Sequence, residues 1–161
     1  MPDHSSYSCI WHSLRSQSPT GHSCCSFSHS AHYTTTTDFS YLKKAFDGSS
    51  NKAGTVFLDY RDVLTSNKRS DNLVLYGHNQ KDRSMFGSLK DYKKNLEHYK
   101  AHPTITFNSN YQSDVYKIFA YFVTEVEPYQ TSDGYVFDYH NYLDLSDKAV
   151  YEDFISNINE R

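Results

Sequence analysis

The amino-acid composition changes abruptly near Tyr33, and that break limits what the 161-residue chain can fold into more than any single motif. Residues 1–33 hold ten Ser, five His and all three Cys, but only two charged residues, Asp3 and Arg15. Their only Leu, Ile, Val or Phe side chains are Ile10, Leu14 and Phe27, whereas residues 34–161 hold the other 30. So little apolar surface cannot offset the entropy of ordering a backbone. The segment lacks helical and strand periodicity, and it lacks the basic start and apolar stretch of a signal peptide. Residues 1–33 are therefore expected to be a low-complexity, disordered or loosely attached Ser/His/Cys-rich segment, and residues 34–161 a folded domain.

That domain reads as α/β or mainly β with helices. Thr55–Tyr60 alternates as a strand with Val56, Leu58 and Tyr60 on one face. Asn72–Gly77 is a short apolar run ending at Gly, as in a buried strand. Phe86, Leu89, Tyr92 and Leu96 recur at helical spacing, which predicts an amphipathic helix ending before His102-Pro103. Thr104–Phe107 and Val115–Val126 are rich in β-branched and aromatic residues, and Asn108–Asp114 between them suits a turn. Val150, Tyr151, Phe154, Ile155 and Ile158 form the apolar stripe of a last helix, with Ser146 or Asp147 as its N-cap.

Several classes of function are excluded or unsupported. A net charge of −3 does not suit a strongly basic nucleic-acid binder. No apolar run approaches the ~20 residues that span a bilayer. There is no glycine-rich phosphate loop, no HExxH and no paired CxxC. His22, Cys24, Cys25, His29 and His32 carry zinc-ligand chemistry, but adjacent cysteines with a His four residues on leave almost no loop to wrap an ion. A low-complexity tract is the simpler reading. Cys24 and Cys25 could oxidise in a secreted protein, yet three cysteines make no even disulfide framework. His78 follows a strand and a Gly, where a side chain can project to solvent, although position alone fits a hydrogen-bonded surface histidine as readily as a general base. Asp59 with Arg61, and Asp82 with Arg83, read as solvated or ion-paired edges. Tyr135–Tyr142 reads as half-buried packing.

Four blocks carry a family resemblance: Tyr41-Leu-Lys-Lys-Ala-Phe-Asp-Gly48, Ala53-Gly-Thr-Val-Phe-Leu-Asp-Tyr-Arg61, Leu73-Val-Leu-Tyr-Gly-His-Asn79 and Ser84-Met-Phe86. In order and spacing, and with the Tyr92–Pro103 pattern that follows, residues 34–161 resemble a class B sortase. These are extracytoplasmic cysteine transpeptidases of Gram-positive bacteria built on a closed β-barrel. The resemblance implies a thiolate that attacks a Thr carbonyl of a sorting signal, a thioacyl intermediate, and its release by a cell-wall amine. It makes His78 the catalytic histidine, which donates a proton to the leaving amine. It places Leu42 in the peptide groove, sets Asp38 where the family has an Asn, and puts Thr124, Glu125 and the helix around Val150–Ile158 along the groove wall. No cofactor is implied. The partners implied are a sorting-signal peptide and a peptidoglycan amine, with no nucleic acid.

The sequence also departs from the family. The nucleophile of the family lies in a Thr-Leu-x-Thr-Cys block on a strand after the terminal helix, with an Arg on the next strand. Here no Cys follows Cys25, and Arg161 is not that arginine. The Trp-containing and Tyr-Pro-Val-Val-Gln-like strands that precede the family's Tyr-Leu pair have no counterpart in residues 1–33. The expectation is a truncated, frame-disrupted sortase with an incomplete barrel, exposed strand edges and no activity of its own. Cys24 or Cys25 could replace the thiol only if something positioned it. Two further readings remain, a sorting-signal-binding remnant and a metal-binding N-terminal tract. The family works outside the membrane on an N-terminal anchor; the chain as written has none and would be cytoplasmic.

Overall fold

A computed structural model describes residues 6–12, 32–33, 40–123 and 137–160 of the chain. Strand β1 (Ser6–His12), β2 (His32–Tyr33), β3 (Phe57–Leu58) and β4 (Asn72–His78) form a four-stranded sheet in the order β1-β4-β3-β2. β4 runs antiparallel to both β1 and β3, and β2 runs parallel to β3. Helices α1 (Lys90–Lys94) and α2 (Leu96–Ala101) lead into a hairpin of β5 (Thr104–Asn108) and β6 (Ser113–Lys117), and α3 (Lys148–Asn159) follows later in the chain. Among the described residues the strands make two separate sheets and do not close a barrel, which agrees with the incomplete barrel expected from the sequence.

The apolar run of β4 is buried on both faces, and its pleat divides the core. Val74 and Tyr76 pack with Phe57, Phe137, Tyr139, Leu145, Phe154 and Ile158. Leu73 and Leu75 point the other way, into Val56, Leu58, Phe86 and Leu89. The aromatic residues of the Tyr135–Tyr142 stretch that are described serve packing, since Phe137 and Tyr139 are buried in the first of these clusters.

Helix α3 forms where its stripe predicted. Asp147 caps it, accepting from the Ala149 amide at 2.7 Å and the Val150 amide at 3.4 Å. Phe154 and Ile158 are buried, with Tyr151 and Ile155 flanking them.

Within residues 1–33, Ser6–His12 pair along the whole of β4 from Ser6 opposite His78 to His12 opposite Asn72. Such pairing is made by main-chain groups and demands little of side-chain composition. Three expectations drawn from residues 34–161 need correction. The Thr55–Tyr60 strand is reduced to Phe57–Leu58: the Asp59 amide still donates to Val74 O, but the Asp62 amide turns back to Asp59 O, which swings Tyr60 out to solvent. The Phe86–Leu96 helix is a 3-10 turn (Phe86–Leu89) and α1, interrupted at Asn95. Asn95 is extended and caps α2 instead, accepting from the Glu97 amide at 2.8 Å, which leaves Leu96 66% exposed. The long strand from Val115 ends at Lys117. The turn between the hairpin strands is as expected, closed by the Ser109 amide on Gln112 O.

Candidate active site

His78 is the last residue of β4, on the same side of the pleat as Val74 and Tyr76. Its half-buried ring donates from Nε2 to the main-chain carbonyl of Leu42 at 2.7 Å. The carbonyl has no proton to give, so Nε2 carries the hydrogen. Two residues singled out by sequence, 36 positions apart, thus meet directly.

Leu42 lies in a 3-10 turn (Ser40–Lys43) in which three successive carbonyls are engaged. Tyr41 O accepts from the Thr55 amide at 2.9 Å, Leu42 O accepts from His78, and Lys43 O accepts from the Asn51 amide at 2.9 Å. The Leu42 side chain packs against the cluster that holds Val74 and Tyr76. On the other side of His78, the chain passes through a tight loop in which Arg83 (φ 72°) and Met85 (φ 50°) both occupy the left-handed region without being glycine. Gly77 packs closely on Phe86: a Cβ there would lie 3.1 Å from the ring, which would have to give by a few tenths of an ångström. The Gly of the Leu-Tyr-Gly-His block thus lets β4 approach Phe86 closely just before the histidine.

Below this end of the sheet lies a buried ionic group. Asp59 is 3% exposed and accepts from Arg61 Nε at 2.9 Å and Nη2 at 2.8 Å, from the Arg61 amide at 2.9 Å, and from Tyr76 Oη at 2.6 Å. Burial opposes its charge, but the bonds from Arg61 and Tyr76 prevail and hold the carboxyl at about 2. Burial, followed by the bond to Asp59, pushes the Tyr76 phenol well above its ordinary range. Asp62, 1% exposed, accepts from the Val74 amide at 2.7 Å, and burial pushes it up to about 7 against that bond. The ion pair read from Asp59 and Arg61 is present but its carboxylate is not solvated: it ties the end of β3 to β4. Arg83 does not pair with Asp82; it pairs with Asp91, while Asp82 accepts from Ser84.

Asp38, Thr124 and Glu125 lie outside the described residues, as do His22, Cys24, Cys25 and His29 of the N-terminal cluster. Cys9 is in β1 opposite Leu75, three residues along β4 from His78. Among the described residues no group of three or more His, Cys, Asp or Glu is arranged to hold a metal ion, and no helix is long and apolar enough to cross a membrane. Sequence reasoning missed the segment around Gly54, whose only signal was a Gly next to Ala53 inside a conspicuous block.

No protein-family model matches the chain. It is 32% identical over 114 residues to sortase B of Listeria monocytogenes, an alignment that covers 69% of this chain and 45% of that protein. Among solved structures it resembles sortase B complexed with triglycine, at 25% identity and a TM-score of 0.65, covering 80% of this chain and 53% of the other. The Staphylococcus aureus sortase B–substrate complex superposes with a TM-score of 0.62 at 26% identity, with the same coverage of 80% and 53%. The chain thus spans about half the length of the proteins it matches.

Proposed function

The chain belongs to the class B sortase family, and on that premise we propose that it supplies the histidine and one side of the peptide groove to a cysteine transpeptidase. The observation that carries this reading is His78 at the end of β4, with Nε2 fixed 2.7 Å from the Leu42 carbonyl. Holding one ring nitrogen on a main-chain acceptor sets the tautomer and leaves the other nitrogen for proton transfer.

In the proposed reaction a thiolate attacks the Thr carbonyl of a sorting-signal peptide, the C–N bond breaks, and His78 gives its proton to the leaving amine. A cell-wall amine then attacks the thioester and regenerates the thiol. Solved sortases B in complex with a substrate and with triglycine support these two partner classes. Leu42 and α3 are proposed to contribute to the peptide groove; Asp38, Thr124 and Glu125, which the family resemblance assigns to the same groove, lie outside the described residues. No cofactor takes part, and the reaction belongs outside the membrane at the cell wall. The sequence contains Cys9, Cys24 and Cys25 and no other cysteine. None of these stands in the family's Thr-Leu-x-Thr-Cys block, so the chain by itself is proposed to form no thioacyl intermediate.

The test mixes the full chain with a synthetic segment carrying that block, a fluorogenic Thr-containing sorting-signal peptide and triglycine. Cleavage is expected only when chain and segment are both present, and His78→Ala is expected to lower it by about 10²–10⁴-fold. Transfer that survives His78→Ala overturns the reading. Saturable peptide binding with no turnover under any mixture supports the non-catalytic, peptide-binding alternative, which the cysteine positions favour.

A further inference from the structure

We propose that Gly54 is a positioning residue for His78, acting through the Leu42 carbonyl, and that Nδ1 of His78 is consequently the nitrogen that exchanges protons. The inference rests on His78 as the proton-transfer residue and adds what fixes its ring.

Gly54 has φ +64°, a conformation that L side chains rarely adopt, and it lies directly against the 3-10 turn. A Cβ at this position would lie 2.6 Å from Leu42 O, 2.8 Å from Leu42 C and 2.9 Å from Tyr41 O. All three atoms belong to the main chain, so no flexible side chain can move aside. The turn is also fastened on both sides of the critical oxygen by Thr55 and Asn51, the segment that brackets Gly54. Asn51 shapes that segment further, since its Oδ1 accepts from the Ala53 amide at 2.9 Å and its carbonyl from the Gly54 amide at 3.0 Å. Gln80, two residues after the histidine, donates from Nε2 to Ala53 O at 3.4 Å. The residue 51–55 segment therefore braces the acceptor of His78 and the loop that follows it.

With Nε2–H committed to Leu42 O, the lone pair of the neutral ring is on Nδ1. A proton accepted at Nδ1 gives the imidazolium with the Nε2–H bond intact, and returning it to an amine restores the same tautomer. The ring need not flip between the two transfers. Any shift of the Leu42 carbonyl, as a side chain at position 54 imposes, removes that constraint.

The experiment is nitrogen-15 NMR of the imidazole in the full-length chain, comparing the wild type, Gly54→Ala and Gly48→Ala. Gly48 is the matched control: it has φ +85°, and a Cβ there would meet nothing within 4 Å, so its substitution carries the same backbone penalty without the collision. In the neutral wild-type ring, Nε2 is expected to carry the proton, with a hydrogen slow enough in exchange to be seen. Gly54→Ala is expected to lose that resonance through at least tenfold faster exchange, and Gly48→Ala to keep it. A wild-type proton on Nδ1 overturns the proposal, and does so even if Gly54→Ala fails to fold. A folded Gly54→Ala with an unchanged resonance overturns it as well. Failure of the catalytic reading is separate: full turnover in His78→Ala would leave these spectra as they are.

Discussion

Asp59 and Asp62 are both buried and three positions apart, yet they titrate in opposite directions. Asp59 sits at about 2 because Arg61 and Tyr76 compensate its burial, while Asp62 is pushed up to about 7 because the Val74 amide does not. An unfolded Asp titrates near ~3.9. Asp59 therefore stabilises the fold above that value and loses its contribution as pH falls towards 2. Asp62 does the reverse: its contribution is complete below about 4 and is lost as pH rises through about 7. Of these two carboxyls only Asp62 changes its contribution between pH 5 and 8, so urea unfolding should show the wild type weakening over that interval relative to a chain without this carboxyl. Asp62→Asn is expected to remove the decline and to exceed the wild type at pH 8 by about 1–3 kcal/mol. Parallel pH profiles for the two proteins would refute this. The ion pair was legible in the sequence because its members stand two residues apart. The burial was not, since it depends on where β3 stops and on the Tyr76 hydroxyl from another strand.

Elements with strong local signals were the readable ones. Both faces of β4 are apolar, α3 has its stripe and cap, and the β5–β6 turn has its polar residues, so each emerges where the residues place it. Asn95 defeats the helix pattern because its side chain satisfies the Glu97 amide better than a continuing helix would use it. β1 was unreadable because its stabilising groups are amides and carbonyls, which every sequence carries. For α3 the two signals separate by size. Asp147→Ala should cost about 1 kcal/mol through loss of its bonds to Ala149 and Val150. Phe154→Ala should cost about 3–5 kcal/mol, because the ring is fully enclosed by Phe137, Tyr142 and their neighbours. Denaturant midpoints at constant slope measure both, and equal losses would contradict the packing described.

For the molecule as a whole, the core is concentrated on β4 and α3, while the hairpin side leaves apolar surface in water. Tyr111, Val115, Phe119 and Val123 are all exposed along residues 111–123. Surface of that kind favours association. Sedimentation velocity is expected to show concentration-dependent self-association, and Val115→Lys with Val123→Lys to shift the protein towards monomer. A chain that stays monomeric at every concentration, with or without the two lysines, would show that these side chains are inert. The candidate site itself was half legible: the blocks marked His78 and Leu42, but nothing in them says that the contact runs through a main-chain oxygen.

A main-chain oxygen is present whatever codon occupies position 42, so the bond to His78 places no demand on that side chain, which answers instead to the core cluster it packs against. Position 54 has no such freedom, because every replacement for Gly adds an atom against the same carbonyl. One contact thus pairs a position held by the packing of its side chain with one held by the lack of any side chain, and a saturation library at both should recover apolar residues at the first and glycine at the second.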